Sequence, residues 1–472
     1  MRKARSLPVA LLLALGGCAV GPGYDRPELD MPVAWPDAPA ATQSTAEDMQ
    51  GWWRRFDDPV LDRLIERALA GNLDLRLGFA RVQEARARLG LARAEQFPTV
   101  ALQAEASRQR QPPAAIGIEG IDIPPRSLFS VSGVLSYELD LWGRLARSRD
   151  AALAELERSM YAHEALRIAL VADVVTGYYA LRSAQSQLDI TRRTLASREE
   201  NVRVQRLRYE AGMVDELVLR QAESDLATVK AQVPARADAV NRRESALGIL
   251  LGLDPAQLVA GLDLGAPARQ VAPSGAAIPQ VLPAELLARR PDLRAVEAGL
   301  QAATARVGVA MAARLPQLDL VALAGSVAGS AGDLFSSETE SWRVGGTLAG
   351  PLLDFGRGRA GVETASALME QAELQYRAAV TAAVAEARDA LRAYDNSLAA
   401  QRASEEQVAA LRRTEALAEI RYREGYISIL ELLDAQRGLL GAELLLAQSR
   451  ADHYAATATL FKALGGGWEQ SW

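Results

Sequence analysis

The chain has 472 residues, of which 49% are hydrophobic, 24% are charged and only 5% are aromatic, and its formal net charge is −6. This length allows roughly two to four ordinary domains, or one very elongated domain. The small negative charge argues against a nucleic-acid-binding protein. One cysteine and two histidines exclude a disulfide framework and a Cys/His metal cluster.

The N-terminus has the pattern of a signal peptide that ends at a lipidated cysteine. A basic start (residues 2–5) is followed by an apolar run (residues 7–15). That run is too short to span a bilayer, which requires roughly 20 residues. The only cysteine, Cys18, comes directly after Gly16 and Gly17, which resembles a bacterial lipoprotein signal. Cys18 is therefore the predicted lipidation site, and by the same resemblance Ala19 favours the outer membrane.

A helix is predicted over residues 57–96, before Pro98, and two strands follow it. Each strand has one apolar face and one small, polar face. The apolar residues are Val100, Leu102 and Ala104 in the first strand, and Phe129, Val131, Gly133, Leu135 and Tyr137 in the second. Runs of this length and pattern are typical of strands that cross an outer membrane. A pair of half-buried hairpins in a soluble domain is the alternative interpretation.

A very long helix is predicted next, over residues 144–208. The segment has no proline and only one glycine, Gly177, and at 1.5 Å per residue it would be roughly 98 Å long. Apolar residues at spacings of four and seven mark a coiled-coil seam: Leu170, Val174, Leu181, Leu188 and Leu195. The chain is then expected to turn back at Gly212 and to return as a helix over residues 216–253.

The same order of elements occurs a second time, which indicates an internal duplication of about 215 residues. Predicted strands over residues 317–326 and 342–350 precede predicted helices over 358–422 and 428–464, with a turn at Gly425. The landmark pairs are Asp74 and Asp292, Pro98 and Pro316, Asp140 and Asp354, and Arg208 and Arg421. The predicted organisation is a signal peptide (1–17), an extended segment (18–56), a first repeat (57–285) and a second repeat (286–472). Proline-rich segments at residues 22–39 and 267–283 are interpreted as extended connectors.

The whole mature chain resembles the lipidated branch of the outer-membrane efflux protein family, the TolC and OprM kind. The resemblance rests on short motifs spread along the chain. They are Cys18-Ala19-Val20-Gly21-Pro22 with Arg26-Pro27, Trp52-Trp53, Asp140-Leu141-Trp142-Gly143-Arg144 and its copy, Arg421-Tyr422 with Gly425, and Leu464-Gly465-Gly466-Gly467-Trp468.

The resemblance implies an α+β membrane protein built from an internal duplication. Its trimer would combine an α-barrel of long antiparallel coiled-coil helices with a 12-stranded β-barrel, to which each chain gives four strands. It implies a passive exit duct for drugs or other small amphiphilic molecules, lipid-anchored in the outer membrane with a long periplasmic extension. The implied partners are a periplasmic adaptor protein and an inner-membrane RND-type transporter.

The resemblance also implies where the functional residues lie. In the family, an aromatic residue and two carboxylates at the second-copy turn hold the pore closed; the matching residues are Tyr422, Glu431 and Asp434, with Arg423 and Arg437 as available partners. Three Asp434 carboxylates around a three-fold axis would repel one another and attract cations. The chain departs from some relatives at Ile427 and Val218, so the bonds those positions make elsewhere cannot form here.

Each of these assignments has a simpler structural alternative. Ser428 and Glu431 are spaced as a capping box at a helix start, and Asp434 in the second turn gains from the helix dipole. The turn residues Gly212, Met213, Gly425 and Tyr426 are the candidate adaptor-docking positions, but they could also be ordinary helix caps.

No enzyme, cofactor or metal site is predicted. The sequence has no phosphate-binding glycine loop, no His-Glu-x-x-His and no Gly-x-Ser-x-Gly motif. His163 and His453 lie on predicted long helices and are interpreted as solvated or packed histidines. The competing hypothesis is a structural periplasmic coiled-coil lipoprotein without a pore.

Overall fold

The computed structural model describes residues 19–35, 49, 51–110, 112, 124–262 and 282–468. The predicted signal peptide, Cys18 and most of the proline-rich connector between the repeats lie outside the described residues. Among the helices of the described part, none combines the length and the apolar character needed to cross a membrane.

In its described residues, the first repeat has five α-helices and two strands. After a short 3-10 helix (Trp52–Phe56), they are α1 (Pro59–Gly71), α2 (Leu73–Ala94), β1 (Thr99–Gln109), β2 (Arg126–Leu139), α3 (Arg144–Glu210), α4 (Glu216–Leu250) and α5 (Pro255–Ala260). The prediction of one continuous helix over residues 57–96 is wrong, because the chain leaves helical geometry at Asn72, whose ψ is 129°. The Asn72 side chain accepts a hydrogen bond from the Leu75 amide and donates one to the Leu250 carbonyl. The break is therefore fixed by a contact with a distant helix.

The second repeat has its long helices and its strands in the same order as the first. They are α6 (Leu286–Arg289), α7 (Pro291–Ala312), β3 (Gln317–Ala328), β4 (Glu340–Ala349), α8 (Arg357–Arg423) and α9 (Ile429–Ala463). The paired helices α2 and α7 have 22 residues each, α3 and α8 have 67 each, and α4 and α9 have 35 each. Pro283, which we expected in an extended connector, instead begins a 3-10 helix that ends at Glu285.

The chain divides into two compact units, each built from segments of both repeats. Of the described residues, unit 1 comprises those within 19–28, 81–159 and 295–377, and unit 2 comprises those within 29–80, 160–294 and 378–468.

Unit 1 contains one antiparallel sheet with the strand order β1-β2-β3-β4. Because side chains alternate across a strand, the pairing register assigns every residue to one of two faces. The apolar face carries Val100, Leu102, Ala104, Phe129, Val131, Leu135, Tyr137, Leu318, Leu320, Ala322, Ala324, Trp342, Val344 and Leu348. The polar face carries Gln103, Glu105, Ser130, Ser132, Ser136, Asp319, Arg343 and Thr347. The predicted alternation in the two repeats therefore belongs to one continuous sheet.

The N-terminal segment of unit 1 packs against α7 and the end of β2. The Val20 amide donates to the Trp142 carbonyl at 3.0 Å. Arg26 forms a bidentate pair with Glu297 at 2.7 and 2.8 Å, and Tyr24 donates to the same carboxylate at 2.9 Å. Burial and the neighbouring Glu297 carboxylate raise the pKa of the Tyr24 phenol above its usual value. The segment after Cys18 is thus fastened to the fold by its own side chains.

Unit 2 has an aromatic core in which the Trp52 motif takes part. Trp52 stacks on Phe461 with ring centroids 4.9 Å apart, and Tyr179 stacks on Tyr454 at 3.8 Å. Tyr178 donates to the Asp58 carboxylate at 2.7 Å, and Asp58 also caps α1. The predicted seam residues of α3 follow this core along the helix: Leu170, Val174, Leu181 and Leu188 are buried, and Leu195 is partly buried.

Candidate functional site

The two long helix pairs end, within unit 2, in turns of the same geometry. The first turn (residues 211–215) joins α3 to α4, and the second turn (residues 424–428) joins α8 to α9. Gly212 and Gly425 have φ of 69° and 79°, the left-handed conformation that ends a helix without a Cβ clash. The Met213 and Tyr426 amides each donate at 2.8 Å to a carbonyl five residues back. Both predicted turns are therefore present.

Each returning helix begins with a side-chain cap. Asp215 accepts a hydrogen bond from the Val218 amide at the start of α4. At the start of α9, Ser428 and Glu431 form the predicted capping box, in which the Glu431 carboxylate accepts from the Ser428 amide at 2.8 Å. This backbone bond, together with the Ser428 hydroxyl, lowers the pKa of Glu431. The Glu431 carboxylate therefore caps the N-terminus of its own helix, α9.

Tyr422 connects α8 to α3 within the chain. Its hydroxyl donates to the buried Gln205 side chain at 3.1 Å, and the Arg208 guanidinium lies 6.0 Å from the centroid of its ring. The ring also packs beside an apolar cluster that includes Leu433 and Val218. Val218 therefore contributes apolar packing here.

Arg423 and Arg437, the predicted partners of the gate residues, form different contacts. Arg423 pairs with Glu419, one turn earlier on α8, so it is engaged in a local surface contact. Arg437 reaches from α9 to α4, where its Nε donates to Asp225 Oδ1 at 2.7 Å. Among the described residues, Arg437 therefore pairs with Asp225 and forms no ion pair with Glu431 or Asp434.

Asp225 is the centre of a buried charge cluster that joins three helices. It is only 2% exposed, and on its other side Arg198 of α3 places Nε 2.6 Å from Asp225 Oδ2, an ion pair without a hydrogen bond between these two atoms. Arg198 also donates to Gln436 of α9 at 2.6 Å. Burial lowers the pKa of Arg198, and the Asp225 charge opposes that effect. Removal of Asp225 would leave a buried cation without a counter-charge.

Asp434 projects from α9 on its exposed side. Within the described part of the chain it has no hydrogen-bond or ion-pair partner. Its carboxylate is therefore available to a group outside this chain, whether an ion, a second copy or a partner.

Sequence reasoning missed Asp225, Arg198 and Gln205. All three are polar residues in long helices that we interpreted as coiled-coil rods, and all three are almost fully buried. The opposite charges of Arg198 and Asp225, 27 residues apart across a predicted helix hairpin, could have indicated this pair. The helix rotation that brings the two side chains together is not visible in the sequence.

Comparison with known proteins agrees with this architecture. The profile of the outer membrane efflux protein family matches residues 64–253 and 282–466. The chain is 35% identical over 480 residues to the solvent efflux pump outer membrane protein SrpC of Pseudomonas putida, with 99% of each chain covered. It is 33% identical to the outer membrane protein OprJ of Pseudomonas aeruginosa, with 100% of this chain and 98% of OprJ covered.

The fold is that of a solved outer-membrane channel. The structure of OprN superposes with a TM-score of 0.86 at 33% identity, and the match covers 96% of this chain and all of the OprN chain. The predicted fold class, the efflux function and the outer-membrane location are confirmed, and the hypothesis of a lipoprotein without a pore is not favoured. Because the family profile spans both repeats and the relatives align over nearly the full length, this chain belongs to the outer membrane efflux protein family.

Proposed function

We propose that three copies of this chain form the exit duct of a tripartite efflux pump, with its gate and its adaptor-docking surface at the two turns. The observation that carries the proposal is the bond from Arg437 to Asp225, which ties second-copy helix α9 to first-copy helix α4 close to the turns. An opening that moves α8 and α9 away from α3 and α4 has to break this bond and the bond between Tyr422 and Gln205.

Asp434 has a separate role in this proposal. Three exposed carboxylates around the three-fold axis would repel anions from the resting pore and attract cations. The Arg437 and Tyr422 contacts would then hold the helices in place, and the Asp434 ring would set which ions pass.

Single-channel conductance of the purified trimer in a planar bilayer tests the gate. We expect Arg437→Ala to increase the open-channel conductance, because α9 loses its bond to α4 while Asp225 keeps Arg198 as its counter-charge. Asp434→Ala is expected to reduce the preference for cations. The matched control is Arg412→Ala, since Arg412 pairs with Glu443 between α8 and α9 only, at 2.7 Å. Conductance and selectivity that match the unmodified channel in both test variants would refute the gate assignment.

The adaptor-docking proposal rests on apolar side chains that repeat in both turns. Met213 and Tyr426 lie 213 residues apart in the sequence and are 72% and 71% exposed, and Leu217 and Leu430 are exposed at the same spacing. Three chains would present six such pairs in a ring, a surface that favours contact with apolar helix tips of a periplasmic adaptor.

Drug susceptibility of cells that depend on this channel tests the docking surface. The double variant Met213→Asp with Tyr426→Asp should abolish efflux while the purified channel keeps its conductance. Loss of both properties would instead indicate that the two residues support folding, and retention of efflux would contradict the docking assignment.

The lipid anchor at Cys18 remains part of the proposal. Its sequence neighbour Ala19 packs against Gly143, at the end of the sheet to which the helices attach. An acyl chain on the preceding residue would therefore start beside the membrane surface. A mass increase of the mature N-terminal peptide that disappears in Cys18→Ser tests this assignment. Small amphiphilic molecules are the proposed cargo, in line with the solvent efflux named for SrpC.

A further inference from the structure

The loop that joins β3 to β4 (residues 329–339) folds over the apolar face of the sheet. Ser326 lies on that face, and its hydroxyl accepts a hydrogen bond from the Phe335 amide at 3.2 Å. Ser326 and Ala328, both on the apolar face, are buried, whereas Val327 on the polar face stays exposed. The loop therefore covers one face only.

Hydrogen bonds hold this loop in one conformation. The Ser326 and Thr339 hydroxyls lie 2.7 Å apart, and Ser330 donates to the Asp333 carboxylate at 2.7 Å. The Ser336 amide donates to the Asp333 carbonyl, and the Thr339 amide donates to the Ser336 carbonyl. The loop is short, closed and internally bonded, so the direction of its side chains is fixed by the fold.

Phe335, in this loop, combines a positive φ with an exposed aromatic side chain. Its φ is 72°, a region that bulky side chains rarely occupy, and its side chain is 77% exposed. A strained backbone persists where surrounding contacts determine it, and here those contacts determine the position of an aromatic ring that the chain itself does not bury. Packing within the chain therefore does not account for the arrangement.

The position of the loop relative to the membrane follows from the topology. The helices α2, α3, α7 and α8 all attach at the opposite end of the sheet, and in this family the helices extend into the periplasm. The loop end of the sheet is therefore the outer end. The apolar face that the loop covers is the face that contacts lipid, because most of its side chains are aliphatic or aromatic, whereas the other face carries most of the serine residues together with Glu105, Asp319 and Arg343.

The length of β4 places Phe335 at a membrane boundary. Ten residues at about 3.4 Å each span about 34 Å, or about 26 Å of depth when a strand tilts by about 40°, close to the apolar band of about 25 Å in outer-membrane proteins. Phe335 follows β3 and precedes β4 just beyond that band. Trp342, on the same face at the start of β4, is exposed as well.

We propose that Phe335 is an interfacial anchor that inserts into the boundary between head groups and acyl chains of the outer leaflet. The ligand is lipid, because the loop is continuous with the lipid-facing apolar face. A second copy of the chain is the competing occupant, and it would pair at the sheet edges, β1 and β4, rather than on the face. The backbone conformation then holds the ring at a fixed depth.

A depth-resolved fluorescence experiment tests this anchor. The full chain carrying Phe335→Cys is labelled with an environment-sensitive dye and reconstituted into phosphatidylethanolamine–phosphatidylglycerol vesicles. Vesicles with a nitroxide at carbon 5 of the acyl chain should quench the dye more strongly than vesicles with a nitroxide at carbon 12. Ser337→Cys, an exposed site in the same loop, is the matched control and should be quenched by aqueous iodide instead. The unaltered chain treated with the dye gives the background.

Two outcomes would overturn the proposal. Iodide quenching of the Phe335→Cys probe equal to that of the Ser337→Cys probe would place the ring in water. Protection from both iodide and nitroxide lipids, with energy transfer between labels on neighbouring copies, would identify a second copy as the occupant.

A second pair of variants separates lipid contact from loop structure. Phe335→Gly relieves the positive φ but removes the ring, so we expect the rate of vesicle insertion to fall about fivefold while the thermal unfolding temperature does not fall. Phe335→Trp keeps an aromatic ring and should insert at the original rate. Equal insertion by the Gly variant and the unaltered chain would contradict the anchor.

Discussion

The helix pair α3–α4 and the helix pair α8–α9 have equal lengths, yet at one equivalent position their helices contact each other in different ways. In the first pair, Arg198 and Asp225 form a buried ion pair. The equivalent residues 213 positions later are Leu411 and Gly438, and a Cβ built on Gly438 would lie 3.5 Å from Leu411 Cδ2. Close apolar packing has therefore taken the place of a fixed charge pair in the second copy.

The difference shows how a duplicated scaffold can become asymmetric. A buried charge pair has one favourable geometry, because displacement leaves a charge unpaired, whereas an apolar contact is not directional. The first pair is thus the more constrained one, and its Asp225 also receives Arg437 from the second pair. This asymmetry fits the proposed gate if α3 and α4 stay in place while α8 and α9 move.

The largest expected effect comes from breaking the charged pair. Asp225→Ala leaves Arg198 buried without a counter-charge, so the free energy of unfolding should fall by about 3–5 kcal/mol. Thermal unfolding of the detergent-solubilised protein, followed by circular dichroism, measures the change. The double variant Arg198→Leu with Asp225→Gly copies the second pair and should recover most of that loss. A double variant no more stable than Asp225→Ala would show that the two pairs are not interchangeable.

A smaller change in the free energy of unfolding is expected at α7, which the N-terminal segment covers near Gly308, than at the charged pair. The equivalent position of α2, Gly90, is not covered. A Cβ on Gly308 of α7 would lie 2.9 Å from the Val20 carbonyl oxygen, whereas a Cβ on Gly90, the equivalent residue of α2, meets nothing within 4 Å. We expect Gly308→Ala to destabilise the protein by about 1–3 kcal/mol. Gly90→Ala should stabilise it by up to about 1 kcal/mol. The same unfolding measurement checks both variants, and equal effects would mean that the N-terminal segment does not constrain α7.

The smallest effect concerns pH. His453 of α9 is buried and lies 3.0 Å from the Ser397 hydroxyl, with Tyr394 and Arg402 of α8 on the same side, whereas its first-copy equivalent is Val240. Burial and the Arg402 charge lower the pKa of His453. The unfolded chain therefore binds the proton more readily, and the stability that neutral His453 provides is lost as pH falls below about 6.5.

The loss from a single proton is at most about 1.4 kcal/mol per pH unit. Unfolding measured between pH 7.5 and pH 5.5 should show this slope in the unaltered protein and a weaker slope in His453→Val. An identical slope in both proteins would assign the pH dependence to other groups.

Much of the architecture was predictable because its signals are local. The alternation along β1, β2, β3 and β4, the absence of proline from the longest helices, and the glycines at both turns each act over a few residues. The duplication then doubled every signal, so that a weak pattern in one copy was supported by the other. The capping box at Ser428 was predictable for the same reason, since both partners lie within one turn of helix.

The contacts of the candidate gate were not predictable from those signals. Arg437 and Asp225 are 212 residues apart in sequence, and Tyr422 and Gln205 are 217 apart. Which residues meet across such distances depends on the rotation of each helix about its axis, and coiled-coil spacing leaves several rotations open. The sequence by itself determined the repeat, the strand faces, the lengths of the longest helices and the turns, since these follow from local backbone preferences and hydrophobic periodicity. Only the tertiary structure decided the partner of Arg437, the break at Asn72 and the exposed position of Phe335, because each depends on groups brought together by packing or by the sheet.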